Sequence, residues 1–131
     1  MKCIKYIISI IFFFIASNAF CQARLTIENN SMRQMTVKVM KGTSKGTLHK
    51  TVTINSYSSS TIYFSESGKY YTKTKAILNG KEPVYQKGQP FEVYNGSDGY
   101  SVMTLTFTIK ESAVPQVTGG TQISKQEFDQ N

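Results

Sequence analysis

The sequence has no tryptophan, one histidine, two arginines and two cysteines. Each shortage excludes a class of chemistry. Both cysteines, Cys3 and Cys21, lie within the first 21 residues, so the rest of the chain can close no internal disulfide and must be stabilised by its core. With His49 as the single imidazole, a histidine- or cysteine-rich zinc site cannot be assembled. A Ser-His-Asp arrangement has only that one base to draw on. His49 is expected as an exposed strand residue, on the face opposite Leu48, Val52 and Ile54. The glycines between Gly42 and Gly46 lack the spacing of a phosphate-binding loop. The eight acids, Glu28, Glu66, Glu82, Glu92, Asp98, Glu111, Glu127 and Asp129, are scattered, and no two are grouped for acid–base work. Asn95-Gly96-Ser97-Asp98-Gly99 has one carboxylate where calcium needs several oxygens, and reads as a hairpin loop. No cofactor or metal is implied, and a non-enzymatic protein is expected.

Long apolar runs are also scarce, with one exception. Met1-Lys2-Cys3-Ile4-Lys5 is a short basic start, Tyr6 to Ala16 is rich in Ile and Phe, and small residues follow at Ala16, Ser17 and Ala19. That order is expected of a secretory signal peptide. The run is about half of the ~20 residues that span a bilayer. The signal is assigned to residues 1–23, with cleavage after Ala19, Cys21 or Ala23 all compatible with the residue sizes. Cys21 is also a candidate for lipidation, and membrane attachment is expected only through that lipid or an uncleaved signal. The location expected is outside the cytoplasm: periplasm, cell surface or medium. The run Leu25-Thr26-Ile27-Glu28-Asn29-Asn30-Ser31 behind such a signal is similar in composition to small exported bacterial β-sandwich proteins. Asn29-Asn30-Ser31 and Asn95-Gly96-Ser97 have the pattern of glycosylation acceptors.

What is abundant after residue 23 is alternation. Met35-Thr36-Val37-Lys38-Val39 and Met103-Thr104-Leu105-Thr106-Phe107-Thr108-Ile109 place apolar and polar residues on opposite sides, the period of half-buried strands. Asn and Gly clusters separate the runs, with Asn79-Gly80 as a hairpin signal. Seven strands are expected, near residues 24–28, 34–40, 48–54, 60–65, 69–78, 84–94 and 100–109. Gly88 and Pro90 mark the sixth as an edge strand or two pieces. The expected fold is all-β, an antiparallel two-sheet sandwich over residues 24–110, immunoglobulin-like or related. Residues 111–131 hold Pro115, Gly119 and Gly120 among polar residues and read as a flexible extension. Ser124 and Glu127 have capping-box spacing for one helical turn. The alternative for this tail is a docking peptide anchored by Ile123 and Phe128.

The formal charge is +7 from 15 basic and eight acidic residues, and without Lys2 and Lys5 it is +5. A basic exported chain favours anionic polysaccharide or lipid headgroups. With only Arg24 and Arg33 to hold phosphates bidentately, nucleic acid is disfavoured. One constellation stands out. Lys69, Tyr71, Lys73 and Lys75 share one face of a strand, opposite Tyr70, Thr72, Thr74 and Ala76, and Tyr63 is a candidate addition. As a basic aromatic stripe this is the candidate ligand site. The competing explanation is that lysines guard a strand from edge pairing. The function expected is a binding or accessory module at the cell envelope, taking a glycan, an anionic polymer or an envelope protein. The alternatives are a structural or adhesive subunit of a surface assembly, or a glycan hydrolase using paired carboxylates.

Overall fold

The computed structural model describes residues 22–111, 116–117 and 120–130. Cys21 and nearly all of the expected signal lie outside the described residues. The fold is all-β, in three sheets. A four-stranded sheet has the order β11-β10-β1-β4 and a six-stranded sheet the order β12-β6-β5-β2-β3, with β7 also pairing β5. The strands are β1 (Ala23–Asn30), β2 (Gln34–Lys41), β3 (Thr47–Ile54), β4 (Ser59–Phe64), β5 (Gly68–Ile77), β6 (Val84–Lys87), β7 (Phe91–Val93), β8 (Asn95–Gly96), β9 (Gly99–Tyr100), β10 (Val102–Lys110), β11 (Gln116–Val117) and β12 (Thr121–Gln122); α1 is Lys125–Asp129. β8 and β9 form a separate hairpin.

Alternation builds the core. Ala23, Leu25 and Ile27 of β1, Ile62 and Phe64 of β4 and Phe107 of β10 meet Met35, Val37 and Val39 of β2, Ile54 of β3 and Tyr70 and Ala76 of β5 in one cluster. Each fully buried Leu, Ile or Phe stabilises the fold by about 1.5–3 kcal/mol. The sixth expected strand is broken into β6 and β7, with Gly88 and Pro90 between them, and the seventh into β9 and β10. Ala23 is wholly buried and pairs Phe64, so the β-domain begins one residue before the expected boundary.

Two expectations are corrected. The sandwich is not wholly antiparallel: β1 and β10 run parallel, Arg24 beside Val102 through Asn30 beside Thr108. No hairpin joins them, since eight strands intervene, and parallel pairing needs only such a long connection. On β3 the alternation slips. Val39 pairs Lys50 but Met40 pairs Leu48, so His49 is an extra residue in the ladder. The bulge re-aims the side chains. His49 stays exposed, as expected, but stacks on Phe64 at 4.9 Å with Nε2 3.1 Å from the Tyr63 carbonyl, and Leu48, expected on the inner face, is exposed as well.

A polar hub ties the sheet ends together. The Arg33 guanidinium is fully buried; Nε and Nη2 donate to the two carboxylate oxygens of Glu111 at 2.8 and 3.2 Å. Nη1 donates to the carbonyls of Ala76 and Glu82 at 3.2 and 2.8 Å. Asn29 Nδ2 donates to the carbonyls of Arg33, Ile54 and Asn55. Asn29 is therefore a buried structural amide and not an accessible glycosylation acceptor. The Arg33 hydrogen bond holds the Glu111 carboxyl below its ordinary value of 4.5, with Lys81 adding a smaller pull.

Replacing Arg33 with Ala leaves the buried hub without its cation, and about 3–5 kcal/mol of stability is expected to be lost. Arg33→Lys rescues little, because an ammonium lacks the planar fork. Glu111 is depressed in the folded state, so its contribution is present above about pH 4.5 and is lost as pH falls through the lowered pKa. Urea melts at pH 7 and pH 3 check this: Glu111→Gln should lower stability at pH 7 and narrow the gap between the two pH values.

Candidate binding site

β2, β5 and β6 lie side by side, and their register sets three lysines in a line. Lys38 is directly opposite Lys73, and Lys73 directly opposite Lys87. Like charges in directly opposed positions destabilise a sheet. The row lies on the outer face of the six-stranded sheet, since Tyr70 and Ala76 of β5 point into the core. Lys73 is only 5% exposed. Burial, then the neighbouring Lys38, pushes its pKa below the ordinary lysine value, with Lys87 adding to this and Glu127 opposing it.

The segment expected to be a flexible extension covers this row. β12 pairs β6, Thr121 with Lys87 and Gln122 with Gln86, and the Ile123 amide donates to the Tyr85 carbonyl at 3.1 Å. Ser124 caps α1, its Oγ accepting from the Glu127 amide at 3.1 Å. Phe128 is buried, its ring 5.6 Å from that of Tyr85 and beneath the Lys38 ammonium at 4.6 Å. Lys38 Nζ donates to the Phe128 carbonyl at 2.9 Å; Lys73 Nζ donates to the carbonyls of Glu127 and Gln130 at 2.9 and 2.7 Å. Cations at a helix C-terminus meet the carbonyls that lack intrahelical partners. The tail is ordered here because a buried cation needs acceptors and a single aromatic ring finds a seat. Ile123 and Phe128 are thus brought against the chain's own sheet.

The turn from β2 to β3 closes the other side. Tyr71 Oη donates to the Ser44 carbonyl at 2.8 Å and accepts from the Gly46 amide at 3.0 Å. A side chain on Gly46 would run into the Lys41 carbonyl at 2.1 Å, so only glycine permits this approach. Lys87 Nζ donates to the Ser44 carbonyl at 3.2 Å and sits 4.9 Å over the Tyr71 ring. Between this turn and α1 is a cleft of about 510 Å³ lined by Ser44, Lys45, Gly46, Tyr71, Lys73, Glu127 and Gln130. The turn Gly42-Thr43-Ser44-Lys45-Gly46 also has the Gly-x-Ser-x-Gly spelling of a hydrolase elbow. It joins two strands rather than a strand and a helix, and His49 is held by Phe64 and the Tyr63 carbonyl.

The expected stripe is only partly an open surface. Tyr71 and Lys73 are buried, Lys75 is half-buried, and Lys69 is exposed opposite Glu92. Tyr63 belongs elsewhere: it is exposed on β4 of the other sheet, opposite Arg24. Lys38, Lys45 and Lys87 were missing from the expected set. Their outward position could be read from alternation and turn chemistry, but their adjacency to Lys73 required the strand order. Among the described residues no three His, Cys, Asp or Glu side chains are placed to hold a metal ion.

The Phe128 seat is local, so Phe128→Ala should release the tail without unfolding the sandwich. Hydrogen exchange is expected to show lost protection at the Ile123 and Phe128 amides. The global stability loss should stay under about 3 kcal/mol, against about 3–5 kcal/mol for Phe64→Ala in the core. No protein-family model matches the chain, and no curated protein or solved structure matches it.

Proposed function

We propose that the chain is an exported, non-enzymatic β-sandwich, immunoglobulin-like or related, that serves as a binding or accessory module at the cell envelope. Its ligand is an anionic polymer, most simply a carboxylated polysaccharide. The observation that carries this reading is the row Lys38, Lys73, Lys87, extended by Lys45 and Lys75. A fold optimised for stability alone would not set three lysines directly opposite one another. A polyanion entering the cleft between the β2–β3 turn and α1 would meet the exposed Lys45 first and then the buried Lys73, with Tyr71 in the cleft wall.

The start of the chain supports export through its basic residues, its Ile- and Phe-rich run and its small residues. Cleavage after Ala19 or Cys21 keeps Ala23, and so β1, whole. Four of the eight acids are poorly suited to the general-acid role of a hydrolase. Glu66, Asp98, Glu111 and Asp129 are each held below the ordinary carboxyl range, chiefly by hydrogen bonds from Lys41, Tyr94, Arg33 and Lys125 respectively. A general acid needs the opposite shift.

Retention of residues 22–131 on immobilised alginate and dextran tests the proposal. Binding to alginate at low salt is expected, weakened by added salt because the exposed charges are screened. Lys45→Glu combined with Lys87→Glu should weaken it by about tenfold or more, while Tyr63→Ala leaves it unchanged. Salt-resistant binding to dextran, or alginate binding indifferent to the two lysines, would contradict the reading.

A further inference from the structure

The segment above the lysine row meets Lys73 through backbone carbonyls. Lys73 and Lys87 donate to the carbonyl oxygens of Glu127, Gln130 and Ser44. A carbonyl satisfies an ammonium hydrogen but leaves its charge in place. A carboxylate satisfies the hydrogen, offsets the charge and makes the shorter, stronger bond. The segment carries two acids that act on the row at longer range, Glu127 on Lys73 and Asp129 on Lys38 and Lys75, while the hydrogen bonds described for Lys73 go to carbonyls. Asp129 is engaged by Lys125 at 2.8 Å, and Glu127 meets Lys73 through its backbone.

The cover is also light. Across residues 120–130 only Phe128 is buried and Ile123 half-buried; the others are exposed. β12 has two residues and α1 five. An element with so little buried apolar surface opens at small cost. Its entry over β6 depends on Gly120, at φ +112°, where a side chain would meet the Lys87 carbonyl at 2.5 Å. The seat is therefore specific in shape while weak in binding.

We infer that residues 120–130 are a tethered occupant of the lysine row, which a carboxylate-bearing polymer displaces to reach Lys73 and Lys38. The inference rests on the anionic-polymer reading of this face and adds its regulation. In the closed form the exposed lysines at the cleft rim, Lys45 first, make the initial encounter. Carboxylates then replace the carbonyls of Glu127, Phe128 and Gln130, and the segment lifts from β6. Release uncovers the Tyr85 ring for the ligand and frees Phe128, the one buried side chain among residues 120–130, for contact elsewhere.

The test uses residues 22–131 with alginate oligosaccharides as the probe, in three forms: wild type, Phe128→Ala and Ser124→Ala. The second variant removes only the cap of α1, so it serves if the first disturbs folding. If closure withholds the site, apparent affinity is reduced by the fraction open. Phe128→Ala should then bind about tenfold or more tightly than wild type, and Ser124→Ala about threefold. Alginate should also accelerate hydrogen exchange at the wild-type Ile123 amide, which donates to Tyr85. Binding by wild type with no gain in either variant and no change at Ile123 overturns the inference and leaves the anionic-polymer reading standing. Weaker binding by both variants also overturns it, making the segment a wall of the site. Absence of binding by all three proteins overturns both.

Discussion

Three ammonium groups set in register on adjacent strands are the constraint around which the outer face of this protein is organised. Lys73, at the centre, is buried between Lys38 and Lys87. A buried charge must find hydrogen-bond acceptors or lose its charge. The chain answers with backbone: the end of α1 above Lys38 and Lys73, and the β2–β3 turn beside Lys87. The placement of α1, the burial of Phe128 and the cleft beside Tyr71 all follow from where those carbonyls must stand. The hydrogen bonds described for Lys73 go to neutral carbonyls, while the carboxylates of Glu127 and Asp129 act on Lys73 and Lys38 from farther off.

The second organising feature is the Arg33 hub, which acts at a distance from the lysines. Its bond to Glu111 fixes the chain where it leaves β10, the point from which the tail returns toward β6. The same guanidinium holds the end of β5, through Ala76, and the approach to β6, through Glu82. One buried cation thus sets both the sheet that presents the lysine row and the origin of the segment that covers it. The two cations differ in how they are satisfied. Arg33 has a carboxylate in bidentate contact, the arrangement of a permanent tie. Lys73 has carbonyls only among its described acceptors.

Much of the fold was legible because period-two alternation is a local property. Met35 to Val39 and Met103 to Ile109 announce their strands, and Gly88 and Pro90 announce the break between β6 and β7. What depended on distant residues was not legible. The parallel pairing of β1 with β10 joins the two ends of the sandwich, and nothing in either run specifies the direction of its neighbour. The His49 bulge arises from pairing with β2, so alternation alone sent Leu48 inward. The tail looked flexible because its composition is polar. Its order comes from one ring, Phe128, and from lysines some fifty to ninety residues earlier. The candidate site was half visible: alternation put Lys73 and Tyr71 on one face, while Lys38 and Lys87 joined them only through strand order, and Tyr63 went to the other sheet.

Binding of an anionic polymer to the lysine row, as proposed, is open to NMR: the side-chain ammonium and adjacent methylene resonances of the lysines are followed while galacturonate oligomers are added to residues 22–131. Saturable shifts are expected at Lys38, Lys73 and Lys87, with Lys69 and the Tyr63 ring unmoved. Shifts confined to Tyr63 and its neighbours on the four-stranded sheet, or no shift at any lysine of the row, would contradict it.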